Sequence, residues 1–534
     1  MIDQRQKGQR RPREDDDNMT YKPSKLGDEL TALVSPAASL STTKMESFKD
    51  WKHVNKKGMN MFVTAMFIVG ETAGGGLIAL PTAFVSTGLP LGLVLLICAA
   101  IICAYTGLLL AENWNIMQYL WPEYQNHCRK PYPEMGLRAI GPKFGHFVSF
   151  ILQVTQFGTA VVFLLLCSKN VENMLMTNVG MKVSFCYLIL IVAVVVFPLT
   201  LPKSPKDFWY AIVAAMAMTF VAVCLIITGS VLDYGTCQKH AAYPPINILR
   251  LFMSFGTIMF AYGGHGAFPT IQHDMKKPYQ FNKSASLAFF SILCLYIPVS
   301  SLGYTVYGSS LTDSIIPSIQ NITIQTTINV LITLHVGLAL TIVFNPLNQE
   351  FEEWMKVSES FGIQRILSRA FIMATVVFAA ESVPNFGVLL DLVGGSTINL
   401  MALVLPVVFN MSLVTIKRKV EAKNVSIEAP ITWRDIYETM PHWKFATNFT
   451  VLAIAVVGGI ASTYSAMQSM FKSEFTAPCY ASLWSDEIAV PPETFTHQRL
   501  IACCGAFRNV TSLLGSHIAC SDPTTAHLLG GGHG

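Results

Sequence analysis

Eleven apolar runs, each long enough to carry a helix across a hydrocarbon core, take up most of this 534-residue chain. A membrane helix needs about 20 apolar residues. Such runs fall at residues 59–85, 89–112, 146–168, 183–201, 208–231, 247–271, 285–307, 323–347, 366–383, 386–413 and 446–469. Only Val383-Pro384-Asn385 separates the ninth from the tenth, and Pro384 is read there as a breaker between two spans. Charged residues make up 13% of the chain, against roughly 25% in a soluble domain. The expected fold class is therefore an all-α polytopic membrane protein surrounded by lipid. A net charge of +4 gives no reason to expect a nucleic-acid partner. No cleavable signal peptide is expected in the polar opening of the chain, and the first span is expected to direct insertion.

Orientation follows from Lys and Arg, which collect on the cytosolic side. With the amino terminus inside, the inner segments hold 30 of these residues and the outer segments 7. The short loops alone divide 18 to 4. Eleven spans then leave the carboxyl terminus outside. Residues 1–57 are expected to form a disordered, solvated cytosolic tail and residues 58–470 the membrane body. Residues 471–534 form an extracellular or luminal tail with Cys479, Cys503, Cys504 and Cys520, where disulfides are expected without a deducible pairing. Cys98, Cys103, Cys167, Cys186, Cys224 and Cys294 fall within spans and are read as small core residues. Glycosylation sequons at Asn509 and Asn321 lie outside. Those at Asn282 and Asn424 lie inside and are expected to be silent. No cofactor or metal is expected, including at the closing GGGHG.

Two spans are interrupted. Span one carries Gly70-Glu71-Thr72-Ala73-Gly74-Gly75-Gly76, and span six carries Gly263-Gly264-His265-Gly266 followed by Pro269. Each glycine disfavours helix by about 1 kcal/mol relative to alanine. Freed backbone at membrane depth is tolerated only against protein or a water-filled cavity. Glycine also serves close helix packing, which would explain either run alone. Span one opens a first set of five spans and span six a second, so the breaks occupy matching places. Such paired interruptions mark the binding site of an inverted-repeat transporter. A half-helix beginning at Leu77 would aim free amides and a positive dipole end at the break, suiting a carboxylate. Carbonyl ends opposite would suit an ammonium group or a cation. Amino acids and similar zwitterions fit both.

The stretches GETAGGGLIALPTAFVSTGLPLG, YPEMGLRAIGPKFG (132–145) and FAYGGHGAFPTIQHDMKKPYQF (260–281) resemble motifs of the amino acid/auxin permease family, nearer its proton-coupled and vesicular branches. The resemblance covers residues 55–470. It implies eleven transmembrane helices in a LeuT-like five-plus-five inverted repeat plus one, with spans one and six broken and alternating access. It places substrate binding on Thr72, Gly74, Gly75, Gly76, Gly263, Gly264 and His265.

Glu71 is the candidate coupling residue, because an intramembrane carboxylate is costly and is held for function or by a structural partner. Sodium-coupled relatives use a hydroxyl in span eight, which Thr341 matches, so the coupling ion is proton or sodium. His265 is either a pH-sensing group or a buried, satisfied histidine. His335 is read as a packing or helix-bonding residue, and Glu112, Glu381 and Asp391 as structural. Phe260, Tyr262 and Phe268 either shape the pocket or pack the core. The function expected is a secondary active amino acid transporter. Two alternatives stand beside it: a sensor signalling through the cytosolic tail, or a sodium symporter. An enzyme, such as an acyltransferase built on His265, lacks a nearby acid at suitable spacing. DELTALV (28–34) falls short of an acidic dileucine signal, so plasma membrane and lysosomal or endosomal membrane both stand.

Overall fold

Asparagine starts many of the apolar helices. Asn60, Asn247, Asn321 and Asn385 each accept a hydrogen bond on the side chain from an amide two or three residues on, at 2.9 to 3.1 Å for the shortest of each. That satisfies one of the orphan donors at a helix start and sets where each hydrophobic run begins to coil. The computed structural model describes residues 48, 51–56, 58–126, 128–181, 183–201, 209–358, 362–422, 431–472, 478–482, 500–502 and 511–513. The helices belong to one compact unit, Lys52–Gly534.

They run in order α1 Met61–Thr72, α2 Gly75–Thr87, α3 Leu89–Leu120, α4 Pro131–Ala139, α5 Pro142–Met174, α6 Phe185–Val196, α7 Trp209–Cys237, α8 Ile248–Ala261 and α9 Phe268–His273. Then come α10 Phe281–Tyr307, α11 Ile322–Trp354, α12 Ile363–Ser382, α13 Phe386–Val393, α14 Leu405–Glu421, α15 Trp433–Thr439 and α16 His442–Lys472. Between α13 and α14 the chain stays helical but widens into two π-turns, Gly394–Ile398 and Leu400–Val404. A short antiparallel ribbon pairs Leu500–Ala502 with Thr511–Leu513.

Among the described residues, eight helical segments are long and apolar enough to cross a membrane, and α1 with α2, bent by 56°, makes a ninth. Two shorter apolar helices, Phe185–Thr200 and Ile248–Ala261, fall on the fourth and sixth apolar runs. The outward sides of these helices carry exposed Phe62, Ile101, Phe150, Val194, Phe449 and Ile460, which suits hydrocarbon rather than water. The chain is a polytopic α-helical membrane protein. Pro384 separates α12 from α13 with only Val383 and Asn385 beside it.

The two broken spans lie at the centre. α2 packs along α8, α10 lies against α1, α2 and α3, and α11 runs beside α5 and α7. Just before α1, Met59 donates its amide to Asp274 O at 2.9 Å and accepts from Lys276 N at 2.7 Å, which ties the entry of α1 to the exit of α9.

The reading of the span cysteines as core residues needs correcting for four of the six. Cys186 is not a core residue but is bridged to Cys479, with a Cα–Cα distance of 5.7 Å. It sits in the first turn of α6, at a helix end rather than mid-span. Cys103 and Cys167 are buried as expected, whereas Cys98, Cys224 and Cys294 lie exposed on the helix flanks. Cys503, Cys504, Cys520 and Asn509 lie outside the described residues.

Candidate functional site

The first break is two residues wide. α1 ends at Thr72, and α2 restarts at Gly75, two residues earlier than Leu77. Ala73 N still reaches back to Val69 O at 2.7 Å, and Leu77 N reaches Gly74 O at 3.2 Å. Among the described residues, the amides of Gly75 and Gly76 find no acceptor across the break, so they open α2 as free donors at its positive end. Each glycine faces a different wall. A Cβ on Gly74 would stand 3.3 Å from His335 Nε2, and one on Gly75 would stand 2.9 Å from Leu166 Cδ2 of α5. On Gly76 it would meet the backbone of α8, 2.6 Å from Ala261 Cα. The last of these contacts cannot yield, because backbone lies on both sides. Bare glycine is what lets the two broken spans touch.

The second break is six residues wide, from Tyr262 to Ala267. Gly264 adopts φ +146°, a conformation costly for any residue with a side chain. A Cβ there would also lie 2.9 Å from Thr72 Oγ1 and 3.6 Å from Glu71 Cγ. Thus Glu71 and Thr72, from the first break, lie directly over the glycine of the second. Thr72 Oγ1 is buried and has no hydrogen-bond partner among the described residues.

His265, also buried, is half satisfied. Its Nε2 lies 3.0 Å from Cys103 O and 3.2 Å from Thr106 Oγ1 of α3. A nitrogen held by a carbonyl must be the donor, so the other nitrogen of the neutral ring is an acceptor. That nitrogen, Nδ1, is buried without a partner among the described residues. His335 of α11 has the opposite arrangement. Its Nδ1 donates to Ala215 O of α7 at 3.0 Å and also lies 2.9 Å from Thr219 Oγ1. Its acceptor Nε2 therefore faces Gly74. The reading of His335 as a helix-bonding residue is correct for one nitrogen and misses the other.

These groups surround a cavity of about 110 Å3. Thr72, Gly74, Gly75, Gly76, Gly263, Gly264 and His265 all line it, as do Glu71 and Thr341. The Thr341 hydroxyl donates to Leu338 O at 2.6 Å, which leaves only its oxygen lone pairs toward the cavity. Gln156 and Phe163 come from α5, and Phe260 from α8. The π-turns supply Ile398, Met401 and Ala402, whose helix is locally widened just where it passes the cavity. Among the described residues, Glu71 is the one carboxylate lining the cavity, and no lysine or arginine does. Sequence reasoning misses Gln156, although two glutamines in Leu152-Gln153-Val154-Thr155-Gln156-Phe157, within an apolar span, are themselves a signal.

The other acids sit elsewhere. Glu112 pairs with Lys444 at 2.5 Å and accepts from Asn410 at 2.9 Å. Glu381 accepts from Cys479 N at 2.9 Å, and Asp391 accepts from Thr257 Oγ1 at 2.5 Å, tying α13 to α8. Phe260 lines the cavity, whereas Tyr262 and Phe268 are buried behind it.

Residues 57–433 match the family described as transmembrane amino acid transporter protein. Amino acid transporter AVT1B of Arabidopsis thaliana is 27% identical over 381 residues, 67% of this chain and 65% of the relative. Amino acid transporter AVT1D of the same plant is 26% identical, over 74% of this chain and 68% of its own length. Lysine histidine transporter-like 4, also from Arabidopsis thaliana, is 24% identical over 65% of this chain and 79% of the relative. These are transporters rather than enzymes, and with its broken paired helices and the cavity between them this chain belongs to the transmembrane amino acid transporter family, the amino acid/auxin permeases.

Proposed function

We propose that this chain is a secondary active transporter that moves amino acids or similar small zwitterions by alternating access, coupled to protons. The observation that carries the reading is the convergence of two helix breaks on one cavity, one offering amide donors and the other acceptors. The substrate carboxylate meets the amides of Gly75 and Gly76 and the hydroxyl of Thr72. The ammonium group meets the carbonyl of Gly263, which takes no backbone donor among the described residues, and the acceptor nitrogens of His265 and His335. Neither end of the ligand needs an ion pair, which agrees with a lining that, among the described residues, holds no lysine or arginine.

Glu71 is the proton carrier in this proposal. It is half-buried beside Gly264 and is the one charge in the described lining, so its protonation state is coupled to what the cavity holds. The membrane body has eleven spans in a five-plus-five inverted repeat plus one, with the amino terminus cytosolic. The bridge between Cys186 and Cys479 supports that orientation, since both segments fall on the side assigned as outer, where disulfides persist. Asn321, exposed at the start of α11, is on the same side and joins Asn509 as a proposed glycan site. The membrane is the plasma membrane or that of a lysosome or endosome.

The test is uptake of a panel of labelled amino acids into proteoliposomes under imposed proton or sodium gradients. The proposal expects at least one zwitterion to accumulate against its gradient when the proton gradient is present and to equilibrate without it. Failure of every zwitterion to move under any gradient would remove the reading.

A further inference from the structure

Tyr296 joins the two breaks from behind. It lies within α10, is fully buried and does not line the cavity, so it touches no ligand there. Its hydroxyl is 2.6 Å from Ala261 O and 3.2 Å from Thr72 O. Ala261 is the last residue of α8 and Thr72 the last of α1. The carbonyl ends of both broken helices therefore converge on one phenol oxygen. The ring stacks obliquely on Tyr262, with centroids 5.2 Å apart, so the hydroxyl is held in place by packing as well as by its bonds.

The carbonyl end of a helix is the negative end of its dipole. In transporters built on broken helices, such ends and the unwound carbonyls beside them coordinate the coupling cation. Here the positive partner is the hydroxyl hydrogen of a side chain. A hydroxyl has one hydrogen, and it is shared unequally between two acceptors that belong to different spans.

We propose that the Tyr296 hydroxyl occupies the place between the two half-helix ends that a coupling cation would otherwise take. Tyr296 is thus a positioning residue that fixes the breaks relative to each other, and substrate binding at this site needs no sodium. The inference builds on the transport reading, which supplies the substrate.

Purified protein is compared in sodium, potassium and choline chloride by two readouts: amino acid affinity, and melting temperature without amino acid. The wild type is expected to give the same dissociation constant and the same melting temperature in all three salts. Tyr296→Phe removes the shared donor, which strips Ala261 O of its hydroxyl partner and leaves Thr72 O with the Gly74 amide at 3.0 Å alone. Its affinity is expected to fall about tenfold in choline. It should then recover, with a matching rise in melting temperature, in sodium or potassium. A cation-specific response is one that a merely structural bond would not produce. Sodium-dependent binding or melting in the wild type overturns the proposal even if the variant fails to fold. Tyr296→Phe with no cation response overturns it as well, whether or not affinity falls. A wild type that binds no zwitterion in any salt removes the transport reading, and the melting comparison then decides the cation question alone.

Discussion

The two breaks meet at one cavity but are built in opposite ways. The first is two residues wide and nearly all backbone: Gly74, Gly75 and Gly76 are pressed against α11, α5 and α8, and the amides of Gly75 and Gly76 that open α2 are free among the described residues. The second is six residues wide, contains the one strained glycine of the pair, and places His265 in the cavity wall. A narrow break restarts α2 at once, so that its positive end opens on the cavity, whereas a wide one makes room for a side chain. The difference teaches that the amide donors of the site are backbone and immovable, whereas the Thr72 hydroxyl and part of the acceptor set are side chain and can be substituted.

The largest effect is expected where the breaks touch. Gly76→Ala would put a methyl group against the α8 backbone, and overpacking of this kind costs about 1–3 kcal/mol even where neighbours can yield. Uptake should be lost, with a lower melting temperature; normal uptake would mean that the breaks do not pack as described. Glu71→Gln comes next and separates binding from coupling. Gradient-driven accumulation should disappear while exchange of labelled for unlabelled amino acid persists, and full accumulation in this variant would end the assignment of Glu71. Thr72→Val removes the unpartnered hydroxyl that lies over Gly264. Loss of one hydrogen bond of about 0.5–1.5 kcal/mol should raise KM roughly 3- to 10-fold with little change in maximal rate. The smallest effect belongs to the wide break. A Cβ on Gly266 would meet only the methyl ends of Leu152 and Met401, at 3.2 and 3.3 Å, so Gly266→Ala should keep uptake within about twofold. A collapse there as deep as that of Gly76→Ala would erase the contrast between the two breaks.

Much of the site is legible in the sequence because glycine and charge are rare in apolar runs. Gly74 to Gly76, Gly263, Gly264, His265 and Glu71 stand out against leucine and valine, and the structure brings them together around one cavity. Span boundaries are legible for a related reason, since asparagine caps and Pro384 punctuate the hydropathy pattern. What stays hidden depends on partners distant in sequence. Nothing local distinguishes Tyr296 from the other aromatics of its span, because its role comes from two carbonyls that lie 224 and 35 residues away. His335 reads as a packing residue because one of its nitrogens does bind a helix carbonyl, and only the fold shows where the other points. Cys186 reads as a core residue because a place at the first turn of a helix, rather than mid-span, differs by a few residues that hydropathy does not resolve.

The most direct measurement is a structure determined at saturating amino acid. The account predicts ligand density in the cavity between the breaks, with the carboxylate on the Gly75 and Gly76 amides and the ammonium group toward Gly263, Gly264 and His265. Density lying elsewhere, or a ligand in the cavity with its carboxylate turned to the second break, would contradict it.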